Sequence, residues 1–220
     1  MPQGTIDIES PDCETDRREK VHASILSQVE RQADRLIELE YHSILGISAG
    51  MLRDDILAAM GTIPKGTHNW PEVDVLVVIP HVTFQKQATL IDCIIDHTSI
   101  PSRSCRDIIR SVPVRRPYII HCVGLGTVAS HWREFQCEAS LQKRRGLTLH
   151  EGLALATHKE LNSDLVGLSA SICNETRAGA QQNIPAMRKI EDHRYVVVAS
   201  SALGADQKMH FPSTIKRSSY

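Results

Sequence analysis

The sequence predicts an α+β fold, in which helices pack on a mixed sheet. Three observations predict it. Apolar residues near the N-terminus, Val21, Ile25 and Val29 among them, recur at helical spacing. Further along, the spacing changes to short β-branched runs, of which residues 73–79 and 195–199 are the clearest. A chain of 220 residues can also bury a substantial core. We therefore expect an N-terminal helical hairpin packed on a small mixed sheet with further helices.

Polar segments without apolar periodicity set the predicted boundaries. Residues 1–15 are polar and contain two prolines, so we expect them to be disordered. Residues 16–204 are predicted to form a single α/β domain, with the helical hairpin at 16–61 and the sheet region at 72–204. After Gly204 the chain is polar again, which predicts a flexible tail over 205–220.

Individual elements follow from periodicity and from start and stop signals. The first helix is predicted from Asp16 to about Tyr41, and the second from Ser48 to Gly61. Strands are predicted at 73–79, 118–123 and 195–199. Residues 90–95 fit either a strand or a helix. Residues 100–117 contain three prolines, which predicts a loop with one short helical turn.

Charge, hydropathy and cysteine usage narrow the partners and the compartment. The formal net charge is −1, without the basic face of a nucleic-acid-binding protein, so we expect no nucleic-acid partner. No apolar run approaches the length of a membrane span, so we expect no membrane partner. The first residues lack the features of a secretory signal, which predicts a cytoplasmic protein. The six cysteines are then expected to be free thiols with mainly structural roles.

Residues 148–151, Thr-Leu-His-Glu, are typical of a capping box at the start of a helix. In this motif the threonine hydroxyl accepts from the third helical amide, and the glutamate carboxylate reaches back to the threonine amide. The predicted helix runs to about Leu161. Glu151 is also a weak candidate for a catalytic base, because a helix N-terminus holds a carboxylate ionised. The cap explains the residue without that role.

The same segment carries a resemblance to a known family. Residues 145–155, Arg-Gly-Leu-Thr-Leu-His-Glu-Gly-Leu-Ala-Leu, resemble the signature of a family of uncharacterised, mainly bacterial proteins, the domain of unknown function 5701. Residues 31–41, residues 117–120 and Pro185 resemble other parts of that family in the same order. The family's tryptophan-rich C-terminal segment has no counterpart in residues 184–204. The resemblance implies a fold and supplies no activity.

A glycine motif follows the second predicted strand. Gly124 and Gly126 open the pattern G-x-G-x-x-A, which in dinucleotide-binding proteins brings a pyrophosphate to a helix N-terminus. Neither a βαβ unit nor an acidic residue after a second strand accompanies it, so the two glycines are weak candidates and we predict no cofactor. A serine elbow at residues 167–171 lacks its second glycine, which makes it weaker still.

His121 and Cys122 precede this motif and are further weak catalytic candidates, at the end of a predicted strand. Together with His131 and Cys137 they would form a metal site only if the fold brought all four together. The chain has no C-x-x-C, H-x-H or H-E-x-x-H pattern despite its eleven histidines, so we predict no metal.

Two classes of function stay open at this point. The first is a small-molecule-binding protein or a cofactor-free enzyme of small-molecule metabolism, with a pocket near residues 122–126 and the Glu151 helix. Its partner would be a small-molecule ligand. The alternative is a partner-binding accessory protein without catalytic activity, which would act through a broad apolar surface. The sequence does not decide between these two classes, and it does not indicate the oligomeric state.

Overall fold

The structure is a computed structural model that confirms the α+β class. It describes residues 11–62, 75–98, 100, 105–107, 116–121, 123–129, 132–158, 164–173, 183–191, 194–200, 203, 207–214 and 216–218. In this part of the chain the helices are α1 (Pro11–Glu38), α2 (Tyr41–Leu45), α3 (Ala49–Ala58), α4 (Phe84–Leu90), α5 (Trp132–Leu141) and α6 (Leu149–His158). A 3-10 turn, Ala59–Thr62, follows α3.

The strands form three sheets. In chain order they are β1 (Val75–Val78), β2 (Ile94–Ile95), β3 (Cys105–Asp107), β4 (Tyr118–His121), β5 (Gly124–Ala129), β6 (Arg145–Gly146), β7 (Leu165–Gly167), β8 (Ser171–Cys173), β9 (Pro185–Glu191), β10 (Arg194–Ala199), β11 (Met209–Thr214) and β12 (Lys216–Ser218). One sheet has the order β1-β4-β12, and a small one pairs β3 with β8. The largest has the order β2-β10-β9-β7-β11-β5, with β6 also paired with β11. It is mixed because β2 is parallel to β10 and β7 is parallel to β11, while its other pairs are antiparallel.

The three-stranded sheet separates two apolar cores. Alternate residues of β1 point to opposite faces, so Val75 and Val77 pack with the N-terminal helices while Leu76 and Val78 face α6 and the large sheet. This two-sided burial explains why β1 is apolar throughout. A third core lies on the other face of the large sheet and is covered by α5. There the rings of Phe135 and Phe211 stack, with 5.0 Å between their centroids.

The N-terminal helices form as the periodicity predicts. Ile25, Val29, Ala33 and Leu36 line the buried face of α1. Ser48 caps α3 by accepting a hydrogen bond from the Met51 amide at 3.1 Å, which confirms the predicted start of the second helix.

Helix α1 also completes the free edge of β1. The side-chain amide of Gln32 donates to the Val75 carbonyl and accepts from the Val77 amide, both at 2.8 Å. Buried backbone groups at a sheet edge are costly when unpaired, so these two bonds stand where a neighbouring strand would otherwise lie.

The predicted strands at 73–79, 118–123 and 195–199 are confirmed as β1, β4 and β10 within the described residues. The ambiguous segment 90–95 contains the end of α4 and the short β2. In the predicted loop at 100–117, Cys105–Asp107 is strand β3, and most of the remainder lies outside the described residues.

The prediction of a flexible tail over 205–220 was wrong for residues 209–214 and 216–218, which form β11 and β12. Strand β11 lies inside the large sheet, antiparallel to β5 and parallel to β7, and β12 pairs with β4. Phe211 is fully buried and packs so closely on Gly167 that a Cβ there would overlap its ring. Pro212 falls at an irregularity in the β11–β5 register, which accommodates a residue without an amide hydrogen.

The predicted disorder at the N-terminus was wrong for residues 11–15, which belong to α1, while residues 1–10 lie outside the described residues. None of the helices in the described part of the chain is both long and apolar enough to cross a membrane.

Candidate functional site

Glu151 lies in the first turn of α6, and its carboxylate is fully buried. The Thr148 amide donates to Oε2 at 2.8 Å, and the Glu151 amide donates to the Thr148 hydroxyl at 3.3 Å. These two reciprocal bonds confirm the predicted capping box. Gly152 follows Glu151 and lets the helix approach the β7–β8 turn, because a Cβ there would overlap the Leu168 side chain.

The carboxylate also holds two strands that the capping box does not involve. Arg217 of β12 forms a bidentate pair with it, with Nε donating to Oε1 at 2.5 Å and Nη2 donating to Oε2 at 2.7 Å. The Tyr118 hydroxyl of β4 donates to Oε1 at 3.1 Å. Arg217 Nη2 additionally donates to the Gly146 carbonyl at 2.9 Å. Glu151 therefore joins α6 to β4 and β12, and its partner Arg217 adds the contact with β6.

These contacts occupy the acceptor capacity of the carboxylate. An ionised carboxylate offers about four lone-pair positions. Tyr118 and Arg217 Nε fill those of Oε1, while Arg217 Nη2 and the Thr148 amide fill those of Oε2. These contacts are those of a structural anchor, because both carboxylate oxygens accept two hydrogen bonds from the protein itself.

The other weak candidates lie in backbone pairing. His121 is fully buried at the end of β4, where it pairs with Val75 and Lys216. Cys122 lies outside the described residues. Gly124 and Gly126 both belong to β5, and Gly124 pairs with Ser213 of β11. Because a strand continues through the motif, the described backbone does not form the strand–turn–helix geometry that a pyrophosphate site needs.

Ser169, the centre of the weak elbow motif, is buried in the turn between β7 and β8. A strand follows it there, whereas a nucleophile elbow leads into a helix. Among the described residues, no three His, Cys, Asp or Glu side chains are grouped closely enough to hold a metal ion.

A polar cleft lies at the opposite end of α6, between its last turn and α1. Its volume is about 550 Å³. The lining comes from one stripe of α1 and from the last two residues of α6, namely Ser24, Ser27, Gln28, Arg31, Gln32, Arg35, Thr157 and His158. Gln28 and Gln32 also bond the backbone of β1, which fixes this wall of the cleft to the sheet.

The charged groups of this lining are cationic. Arg31 donates to the Ser27 hydroxyl at 2.6 Å, and Arg35 pairs with Glu38 at 3.3 Å across one exposed helical turn. An exposed ion pair of that kind contributes little to the free energy of unfolding. The described lining contains no carboxylate. The cleft therefore presents two guanidinium groups, a histidine, hydroxyls and amides.

His158 places two buried ring nitrogens at this cleft. Both nitrogens are shielded from solvent, and the Val77 backbone forms a hydrogen bond with the ring. The pKa of His158 is lowered from 6.5 to about 3, mainly because the ring is buried; the hydrogen bond with the Val77 backbone opposes this shift, and the nearby Arg35 charge adds to it. At neutral pH the imidazole is thus neutral, with one N–H to donate and one lone pair to accept.

We expect His158 to make stability depend on pH. Its pKa is lower in the folded than in the unfolded state. Its contribution to the free energy of unfolding is therefore complete above pH 6.5 and declines as the pH falls towards about 3. At pH 5 the loss should reach about 2 kcal/mol. Urea unfolding at pH 7.5 and pH 5 measures it, with His158→Gln as the comparison because glutamine does not titrate. An equal loss in both proteins would contradict the prediction.

The residues that line this cleft are visible in the sequence, but their pattern is that of an ordinary solvent-exposed helix face. Ser24, Ser27, Arg31 and Arg35 recur at helical spacing, as on any solvated helix face. His158 lies more than 120 positions further along, and only the fold brings it to α1.

Comparison of the chain with known protein families, curated proteins and solved structures found no match. The resemblance of residues 145–155 to an uncharacterised family stays a prediction.

Proposed function

We propose that this protein binds a small anionic molecule, with a carboxylate or phosphate group, in the cleft between α1 and α6. One observation carries the proposal: the charged side chains of the described cleft lining are two arginines, and the lining contains no carboxylate. A cleft whose fixed charges are all positive favours a negatively charged ligand.

The chemistry of the lining supports an anion. Guanidinium groups hold carboxylates and phosphates through paired, charge-assisted hydrogen bonds. Arg31 and Arg35 lie one helical turn apart on the same stripe, so both can reach one acidic group. The serine hydroxyls of the lining add uncharged donors. A volume of about 550 Å³ is within the range of small-molecule sites.

Binding without catalysis is what this lining favours. A histidine whose pKa is lowered to about 3 is a weak base at neutral pH, so it is poorly suited to abstract a proton. The proposal therefore selects the small-molecule-binding function over a cofactor-free enzyme.

Thermal melts of the full chain test the proposal, with inorganic phosphate and citrate as the probes and sodium chloride of equal ionic strength as the control. At a probe concentration 100-fold above Kd, Tm should rise by about 5–11 °C. Arg31→Gln and Arg35→Gln should each weaken binding by about tenfold or more, since each removes a charge-assisted bond. The matched control is Arg188→Gln, an exposed arginine on β9 away from the cleft.

Two results would overturn the proposal. One is a Tm shift that sodium chloride reproduces, which would show general ionic stabilisation. The other is a shift that survives unchanged in both cleft variants, which would place the anion elsewhere. Calorimetric titration of the same proteins measures the affinities directly.

A further inference from the structure

Two cysteines distant in sequence lie opposite each other in the smallest sheet. Cys105 of β3 and Cys173 of β8 are register partners in an antiparallel pair. They are 68 positions apart along the chain, and the Cys173 thiol donates to the Cys105 sulfur at 3.7 Å. Neither sulfur is part of a disulfide bond in the structure.

We propose that Cys105 and Cys173 form a reversible disulfide when the protein meets a peroxide. Residues directly opposite in an antiparallel pair have Cα atoms about 4.5–5.5 Å apart, which lies within the range that disulfides span. The sulfurs are already in contact, so closing the bond requires side-chain rotation and no rearrangement of the strands.

The two cysteines differ in exposure, and this difference gives them different roles in the oxidation. Cys105 is partly exposed, so an oxidant can reach it. Cys173 is fully buried within the large core, and Cys105 packs against that core. A buried partner in contact with an accessible thiol is the arrangement of an attacking and a resolving cysteine.

The reaction balances with hydrogen peroxide as the oxidant. The Cys105 thiolate attacks one peroxide oxygen, the O–O bond breaks, and the released hydroxide takes a proton to become water. Cys105 is then a sulfenic acid. Cys173 attacks its sulfur, the S–O bond breaks, and the leaving hydroxide takes the thiol proton of Cys173 to form a second water. Two thiols are oxidised by two electrons in all, and a dithiol reductant reverses the step.

Two further cysteines whose side chains the structure describes, Cys93 and Cys137, are not arranged in this way. Cys93 is buried, and burial raises its pKa to about 12, so its thiol is rarely ionised. Cys137 is exposed on α5, away from the β3–β8 pair. Cys137→Ser is therefore a matched control.

The experiment uses the full chain, purified under reductant and then treated with hydrogen peroxide or left untreated. Thiol titration of the unfolded, reduced protein should find about six free thiols, one for each cysteine, and two fewer after peroxide. A tryptic digest without reductant should contain one cross-linked pair of peptides, carrying Cys105 and Cys173 and lighter than their sum by two hydrogen atoms. Dithiothreitol should remove it.

Oxidation should also raise Tm by about 8–16 °C, because the disulfide closes a long loop and lowers the entropy of the unfolded chain. Cys105→Ser should abolish both the cross-link and the rise, and Cys137→Ser should keep both. The partly exposed Cys105 is the preferred variant, since Cys173→Ser puts a hydroxyl into the core.

Three outcomes would overturn the proposal: a cross-link to a different cysteine, oxidation of Cys105 to a sulfinic acid without a cross-link, or a rise in Tm that persists in Cys105→Ser. All three are distinct from failure of the anion-binding proposal, because the cysteines lie outside the cleft lining.

Discussion

A chain that ends at residue 204 should fail to fold. It lacks β11, which lies between β7 and β5 in the large sheet, and β12, which pairs with β4 and carries Arg217. Loss of the Phe211 side chain alone should cost about 3–5 kcal/mol, and the whole stability of a domain is only about 5–15 kcal/mol. Removing two paired strands together exceeds that margin.

Near-ultraviolet circular dichroism and a thermal melt measure the result. The truncated chain should show no fixed aromatic signal and no cooperative transition. Phe211→Ala in the full chain is the graded comparison, because it keeps the strand and should melt cooperatively at a lower temperature. A truncated protein that melts like the full chain would show that the large sheet is stable without its inner strand.

Glu151→Gln should destabilise the protein by about 3–5 kcal/mol. The amide leaves the guanidinium of Arg217, whose side chain is only 6 % exposed, without a countercharge in the interior. The capping box alone would predict a much smaller cost of about 0.3–1 kcal/mol, from the lost interaction with the helix dipole. The size of the loss therefore distinguishes an anchor that joins strands from a cap that serves only its own helix.

Urea unfolding gives the comparison, with Thr148→Ala as the matched control. That variant removes the hydroxyl of the cap, leaves the ion pair intact and should cost about 1 kcal/mol. Combining Glu151→Gln with Arg217→Met should recover part of the loss, because the uncompensated charge is gone. A Glu151→Gln protein within 1 kcal/mol of wild type would contradict the anchor assignment.

The elements predicted from sequence are those with a regular apolar pattern. Helices α1, α3 and α6 and strands β1, β4 and β10 follow from periodicity, β-branched runs and caps. β11 could not be predicted, because a polar segment containing Pro212 reads as a loop and only its neighbours make it a strand. Among the side chains of α5 that the structure describes, Phe135 and Ala139 are buried, and two such positions are too short a pattern to identify a helix.

The site shows a similar division. The sequence located Glu151 and its cap correctly, since a capping box is a local signal. Its pairing with Arg217 spans 66 positions, and no local pattern could indicate it. Likewise, no local pattern could indicate that His158 lies against α1 or that Cys105 contacts Cys173. Contacts between distant segments depend on the topology, which the residue pattern of each segment does not contain.

The place of β11 also affects how the chain is made. Strand β5 ends at Ala129, but the neighbour that covers its edge begins only at Met209. At a synthesis rate of about 5–20 residues per second, β5 waits roughly 4–16 seconds for its partner. During that time the emerging chain has β5 and β7 without the strand that joins them, and uncovered strand edges are templates for aggregation. A nascent chain of this protein should therefore depend on chaperones until β11 has emerged.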